Sequence, residues 1–443
     1  MTDGESEAWQ STTLGAACNI NPSRPKLDAL SDDTPVTFLP MAAVDAVSGT
    51  VTRAESRKLS EVRTKSYRTF VPGDVLFAKI TPCMENGKSA VAPEMSGGLG
   101  FGSTEFHILR PRSGVNPRFI WHYIRQEHFR DLAEEQMSGS VGQLRVPVTF
   151  LETFPFDLPG KELQDVIVKI LDLATDSAHS AASHLAKARA AVERFRQSVL
   201  AAACSGRLTA DWRAGKASLA RADLVDRRAE FDAVDAPDEW PVVTVAEIGY
   251  VQLGGTPSRK VASYWSGEVP WVSSGEVANC RIRRTRECIS KDGLAKSSAK
   301  IYPAGTVLIA MIGEGKTRGQ AAILDIEATT NQNAAGVSPD RKFIDPEYLW
   351  RWAVAQYEVT RAVGRGGNQP ALNKQKVQEL AIAIPSLEEQ AEIVRRVDQL
   401  LSSTDNLTAR VGAAARRIER SSQAILAKAF RGDLSPAVES TVS

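Results

Sequence analysis

The chain has 443 residues, 43% apolar and 24% charged, with a formal net charge of +1. That length exceeds one compact core and sets an expectation of roughly two to four domains. The composition excludes a disordered chain, and no apolar run approaches the ~20 residues that span a bilayer.

From the N-terminus, MTDGESEAWQ is acidic, lacks an apolar core and does not read as a secretory signal. Residues 1–158 mix short β-rich runs such as VTFLP with Gly, Pro, Ser and Asn clusters, the pattern of strands joined by turns. Within them, PGDVLFAKI from Pro72 reads as a strand and PRFIWHYI from Pro117 as a short amphipathic helix. Residues 159–206 form a long helix with apolar positions at Leu163, Ile167, Ile170, Ala174, Ala178, Ala181, Leu185, Ala188, Val192, Phe195, Val199 and Ala202. Steps that alternate four and three define a coiled-coil seam. Residues 207–238 are a polar linker. Residues 239–384 repeat the mixed pattern, with PAGTVLIAM from Pro303 and PEYLWRWA from Pro346. Residues 385–432 form a second long helix with a seam at Ile393, Val397, Leu400, Thr404, Leu407, Val411, Ala414, Ile418, Ser421 and Ile425; residues 433–443 are a tail. Gly206 and Gly432 are expected to cap the two helices.

The two halves are copies. At a fixed offset of 226, Pro159 matches Pro385, Gln164 matches Gln390, Asp172 matches Asp398, Glu193 matches Glu419, Gly206 matches Gly432 and Leu208 matches Leu434. Outside the helices the offset drifts between 226 and 232, as expected when loops vary around a common framework. A helix of this length is roughly 65 Å long and cannot bury its seam alone. The equivalent helix of the other half is the expected partner, and an intermolecular coiled coil the alternative.

Chemical signals in the chain are weak. AMIGEGKT (Ala310–Thr317) resembles a phosphate loop, but a strand-like RGQAAILDI follows where such a loop needs a helix. The other copy carries Gly87, Lys88 and Ser89 at the matching place, so a repeated hairpin explains the pattern better. The five histidines show no H-E-x-x-H spacing, and no G-x-S-x-G, glycine-rich cofactor loop or N-P-P-Y sequence is present. Neither a catalytic site nor a metal site is expected. Cys18, Cys83, Cys204, Cys280 and Cys288 form no C-x-x-C pair, which points to a reducing cytoplasm without a structural zinc.

Two features recur in both copies and suit nucleic acid. Arg53–Arg68 holds six basic residues against two acidic ones, and Arg281–Lys300 holds seven against two. Such runs fit either solvated faces or a phosphate-facing surface. SGSVGQL (Ser138–Leu144) and GRGGNQPAL (Gly364–Leu372) occupy the same place before each long helix, with Gln143 matching Gln369. Glycine lets a backbone approach closely, and Gln or Asn can present a paired donor and acceptor to adenine. A tight turn with solvent-facing amides is the plainer reading; recurrence favours binding.

The segments ERFRQSVLAAACSGRLTADWR, EEQAEIVRRVDQLL and SQAILAKAFRGDL closely resemble the conserved helical regions of specificity (S) subunits of type I restriction–modification enzymes. The resemblance extends to PSLEEQ and to GGTPSRKVASYWSGEVPWV, and so spans essentially the whole chain; PGKELQD in the first copy lacks the acidic-Glu-Gln signature. It implies an α+β fold: two mixed α/β target recognition domains separated by two long helices packed as an antiparallel coiled coil, with an internal pseudo-two-fold repeat. It implies a non-catalytic subunit in which each domain reads half of a bipartite site on double-stranded DNA and the helices set the spacing. Two methyltransferase (M) subunits would use S-adenosylmethionine, and restriction/translocase (R) subunits, where present, would use ATP and Mg2+. On this reading Gln143, Asn368 and Gln369 are the first candidates for base contact. Lys79, Lys88, Lys316, Arg318, Asn331 and Gln332 follow around the hairpins, with Arg145 and Arg365 on backbone phosphate. A DNA-independent scaffold and a nucleotide-dependent enzyme built on Lys316 are the competing readings.

Overall fold

The computed structural model describes residues 9–28, 30–140, 142–216, 223–231, 234–313, 315–363 and 372–434. The chain divides into two compact units, residues 1–187 with 411–443, and residues 188–410. Each unit therefore joins one globular segment to pieces of both long helices, Lys161–Cys204 and Leu387–Phe430.

In the first unit a four-stranded antiparallel sheet runs in the order Cys18–Ile20, Phe106–Pro111, Val75–Ala78, Ser89–Val91. The VLFA strand is buried on both faces, as a wholly apolar run bounded by turns demands. A second sheet pairs Glu55–Lys58, Pro35–Leu39, Gly100–Gly102 and Arg68–Phe70. The helix Pro117–Tyr123 starts at Asn116, whose side chain accepts from the Arg118 amide, with Pro117 where no amide donor is needed. It buries Phe119, Ile120 and Trp121 in a core shared with Ile167, Val168 and Leu171 near the start of one long helix and Leu426 and Ala429 near the end of the other. The two helices thus pack antiparallel in this unit.

The second unit repeats the plan. Its five-stranded sheet runs Gly249–Leu253, Ala334–Pro339, Val307–Ala310, Ala321–Leu324, Cys280–Ile282, with Val307–Ala310 again buried throughout. The segment after Thr317 is a strand, as its sequence predicts, and not the helix of a phosphate loop. Val199, Leu200 and Ala203 share a core with Ile393 and Val397, so here too the helices lie antiparallel. Gly206 and Gly432 adopt left-handed φ of 69° and 77° immediately after the helices, matching their expected capping role.

The seams follow the alternating spacing with two local departures. Ala174, Ala178, Ala181, Leu185, Ala188 and Val192 are each half-buried, as a narrow one-sided contact leaves them. Phe195 and Leu407, both expected inside, are 46% and 45% exposed. The residue after Phe195 explains this: Arg196 turns inward, donates to Thr404 Oγ1 at 3.0 Å and pairs with Asp405. In the other unit Ser421 is exposed and the half-buried positions move to Ser422 and Gln423, whose Oε1 accepts from the Glu127 amide at 3.0 Å. Among the described residues no helix is long and apolar enough to cross a membrane.

Candidate nucleic-acid interface

In the first unit, a segment leaving strand Val75–Ala78 forms a platform. The Lys79 amide donates to the Glu105 carbonyl at 3.0 Å, and the Val146 amide donates to the Lys79 carbonyl at 2.8 Å. The Thr81 amide donates to the Leu144 carbonyl at 3.1 Å, which seats the hairpin Ser138–Ser140/Gln143–Arg145 on this segment. Ser138–Ser140 and Gln143–Arg145 are thus paired antiparallel strands, and Gln143 lies exposed on the second. Arg145 makes a two-pronged pair with Glu105, both contacts at 2.9 Å, and also donates to the Gln143 carbonyl at 3.1 Å. That guanidinium holds the Glu105 carboxyl below the usual carboxylate range. Lys79 is half-buried; burial, then Arg68 and Arg145, push its ammonium pKa down while Glu105 opposes them. His107 is buried beneath, bonded to the Val146 carbonyl and to the Asn21 side chain, each at 2.9 Å. Lys79, Gln143 and Arg145 are therefore brought together. Lys88 is committed elsewhere, its ammonium donating to the Met41 carbonyl at 3.1 Å.

The second unit carries the same frame with other side chains. The Met311 amide donates to the Asn333 carbonyl at 2.8 Å, and the Leu372 amide donates to the Met311 carbonyl at 3.1 Å. Met311 therefore stands where Lys79 stands, and Asn333 where Glu105 stands. Gln332 is exposed and its Oε1 accepts from Thr256 at 2.6 Å. Asn331 is 8% exposed and organises the turn: its Oδ1 accepts from the Asn333 amide and its Nδ2 donates to Ser274. Lys316 is exposed in a loop braced from the helix Tyr357–Val363. The Tyr357 hydroxyl donates to the Lys316 carbonyl at 2.7 Å, and Arg361 donates to the Gly315 and Arg318 carbonyls. Arg318 is buried. Arg365, Asn368 and Gln369 lie outside the described residues.

The two basic runs are partly neutralised within their own units. Arg57 pairs with Glu55, Lys58 with Asp33 and Arg63 with Asp32. Arg281 is held by Asp325 and Glu347, and Arg283 by Asp325. Arg53, Lys65 and Arg68, with Arg284, Arg286, Lys291, Lys296 and Lys300, make no ion pair with another described residue.

The duplicated glutamines are structural. Gln164 accepts from the Asn116 amide and donates to the Gly114 and Pro159 carbonyls; Gln390 accepts from the Asp345 amide and donates to the Phe343 and Pro385 carbonyls. Each locks the start of a long helix to the N-cap of the short helix packed on it. The sequence signal was their match at the common offset. Glu389 is 1% exposed and receives Thr209 at 2.7 Å, Arg213 at 2.5 Å and the Trp240 indole N–H at 3.0 Å, fixing the linker to the second helix. The first copy has Leu163 at that register, packed against an apolar core. The Glu of the signature, which the first copy replaces with Leu163, is thus a buried linker anchor.

The family described as "Type I restriction modification DNA specificity domain" matches residues 6–180 and 237–413. The chain belongs to that family. Among its relatives, the EcoEI type I restriction enzyme specificity subunit of Escherichia coli is 37% identical over 163 residues, which are 37% of this chain and 27% of that one. The EcoBI specificity subunit of Escherichia coli is 29% identical over 292 residues, 62% of this chain and 58% of its own length. In fold, the chain resembles one from a structure of type I R-M complex assembly and conformational transition, with a TM-score of 0.74 at 20% identity. That likeness covers 96% of this chain and 98% of the other.

Proposed function

We propose that the chain is the DNA sequence-specificity subunit of a type I restriction–modification complex and performs no reaction itself. Each unit reads one half of a bipartite site in double-stranded DNA, and the paired helices set the distance between half-sites. M subunits dock on the chain and methylate adenine from S-adenosylmethionine; R subunits, where present, use ATP and Mg2+. One observation carries this reading: the same backbone frame recurs in both units with different residues in it, half-buried Lys79 with Glu105 in one and core-buried Met311 with Asn333 in the other. A duplicated frame with divergent tips suits a protein that reads two unlike sequences. Its exposed polar groups, Gln143 and Gln332, suit base edges, and the cations of the two basic runs that pair with no described residue suit phosphate.

The test is to map methylated adenines across the genome of cells with and without this chain. The expected result is a two-part motif with a fixed gap that disappears on deletion. Methylation unchanged by deletion would refute the proposal.

A further inference from the structure

The two equivalent frames differ in charge, and the difference has a chemical reading. Lys79 carries a cation with no carboxylate among the described residues at ion-pair distance, because the one nearby, Glu105, is taken by both prongs of Arg145. Arg68 and Arg145 surround it with like charge. Backbone bonds to Glu105 and Val146 fix the root of its side chain on the platform beside Gln143. In the second unit Met311, 4% exposed, fills the same place without charge. A half-buried cation that pairs with no described carboxylate makes a poor general phosphate contact, since freely exposed Arg53 and Lys65 serve that purpose without desolvation. It makes a good discriminator: an acceptor satisfies it, and a base that presents a donor there leaves it unmet.

We propose that Lys79 is a specificity-determining residue of the first unit, reading the O6/N7 acceptor edge of a guanine in the major groove, and that the second unit has no such cationic reader at Met311. The inference rests on the DNA-reading role proposed above.

The experiment selects bound sequences from a randomised duplex library with the chain in its methyltransferase complex, for wild type, Lys79→Met and Lys79→Gln. Met is accepted by the equivalent frame, and Gln converts a guanine reader into an adenine reader. For wild type, a guanine is expected at one position of one half-site, preferred about tenfold or more. In Lys79→Met that preference should fall to about twofold or less, and in Lys79→Gln it should shift to adenine, with the other half-site unchanged. A wild-type complex that selects no motif refutes the DNA-reading role itself. A folded variant whose motif is unchanged, or whose affinity drops equally for all sequences with a shallower salt dependence, makes Lys79 a phosphate contact and overturns the inference. Failure of both variants to fold also overturns it, by making the cation structural.

Discussion

Glu389 shows what a single buried charge does here. Its carboxylate sits with a hydroxyl, a guanidinium and an indole N–H, three donors drawn from linker and domain onto one helix. Glu389→Leu, the residue type of the other copy, strands Arg213 and the Trp240 indole, and unfolding of the second unit by urea should come about 2–4 kcal/mol easier. No loss would mean that Arg213 relaxes to solvent without cost. His107 gives the opposite case, a residue that must stay neutral. The Val146 carbonyl can only accept, so Nε2 carries the proton and Nδ1 accepts from Asn21. Burial pushes its pKa from 6.5 down to about 4. Because the unfolded chain takes up the proton first, stability is full above pH 6.5 and declines as pH falls toward 4. Between pH 7 and 5 the wild type should lose about 2 kcal/mol more than His107→Gln in chemical denaturation. Equal losses in the two proteins would count against the buried neutral imidazole.

The long helices were the most legible elements, because alternating four–three spacing and a terminal glycine are local signals. The two glycines are nevertheless not equivalent. At Gly206 a Cβ would lie 2.5 Å from Pro237 Cγ, whereas at Gly432 the nearest atom is Trp9 Nε1 at 3.4 Å. Gly432→Ala should cost only the left-handed backbone, about 1 kcal/mol, and Gly206→Ala about 2 kcal/mol or more, since Pro237 must also move. Thermal melting of the two variants checks the order; equal shifts would show that the linker yields freely. What local spacing could not reveal were partners distant in sequence. Nothing adjacent to Lys79 announces that Glu105 and the strand Gln143–Arg145 with Val146 bond to its segment. Nor does the sequence near Asn331 announce that its amide is spent on a turn. The seam failed at Phe195 for the same reason, since an apolar period does not foresee that Arg196 will find Thr404 and Asp405.

At the scale of the whole molecule, a net charge of +1 leaves the proposed DNA binding to the distribution of charge. Five cations of the two basic runs are offset by carboxylates of their own unit, so the remainder are the freest to displace counterions. Arg284 and Arg286 are exposed members of that remainder in the second unit. Replacing both with alanine should reduce the slope of log affinity against log salt by about 2, with the recognised motif unchanged. A changed motif would make one of them a base reader, and an unchanged slope would place the run away from DNA. Exchange of residues 239–384 for the equivalent segment of another family member asks the larger question. The segment begins and ends short of both long helices, so Gln390, Glu389 and the packed ends of the helices stay in place while the frame around Met311 is replaced. The chimera should keep one half-site and the gap and alter only the other half-site, as read from its methylated-adenine motif. Alteration of both half-sites, or of neither, would mean that the two units do not read independently, and the duplication would need another explanation.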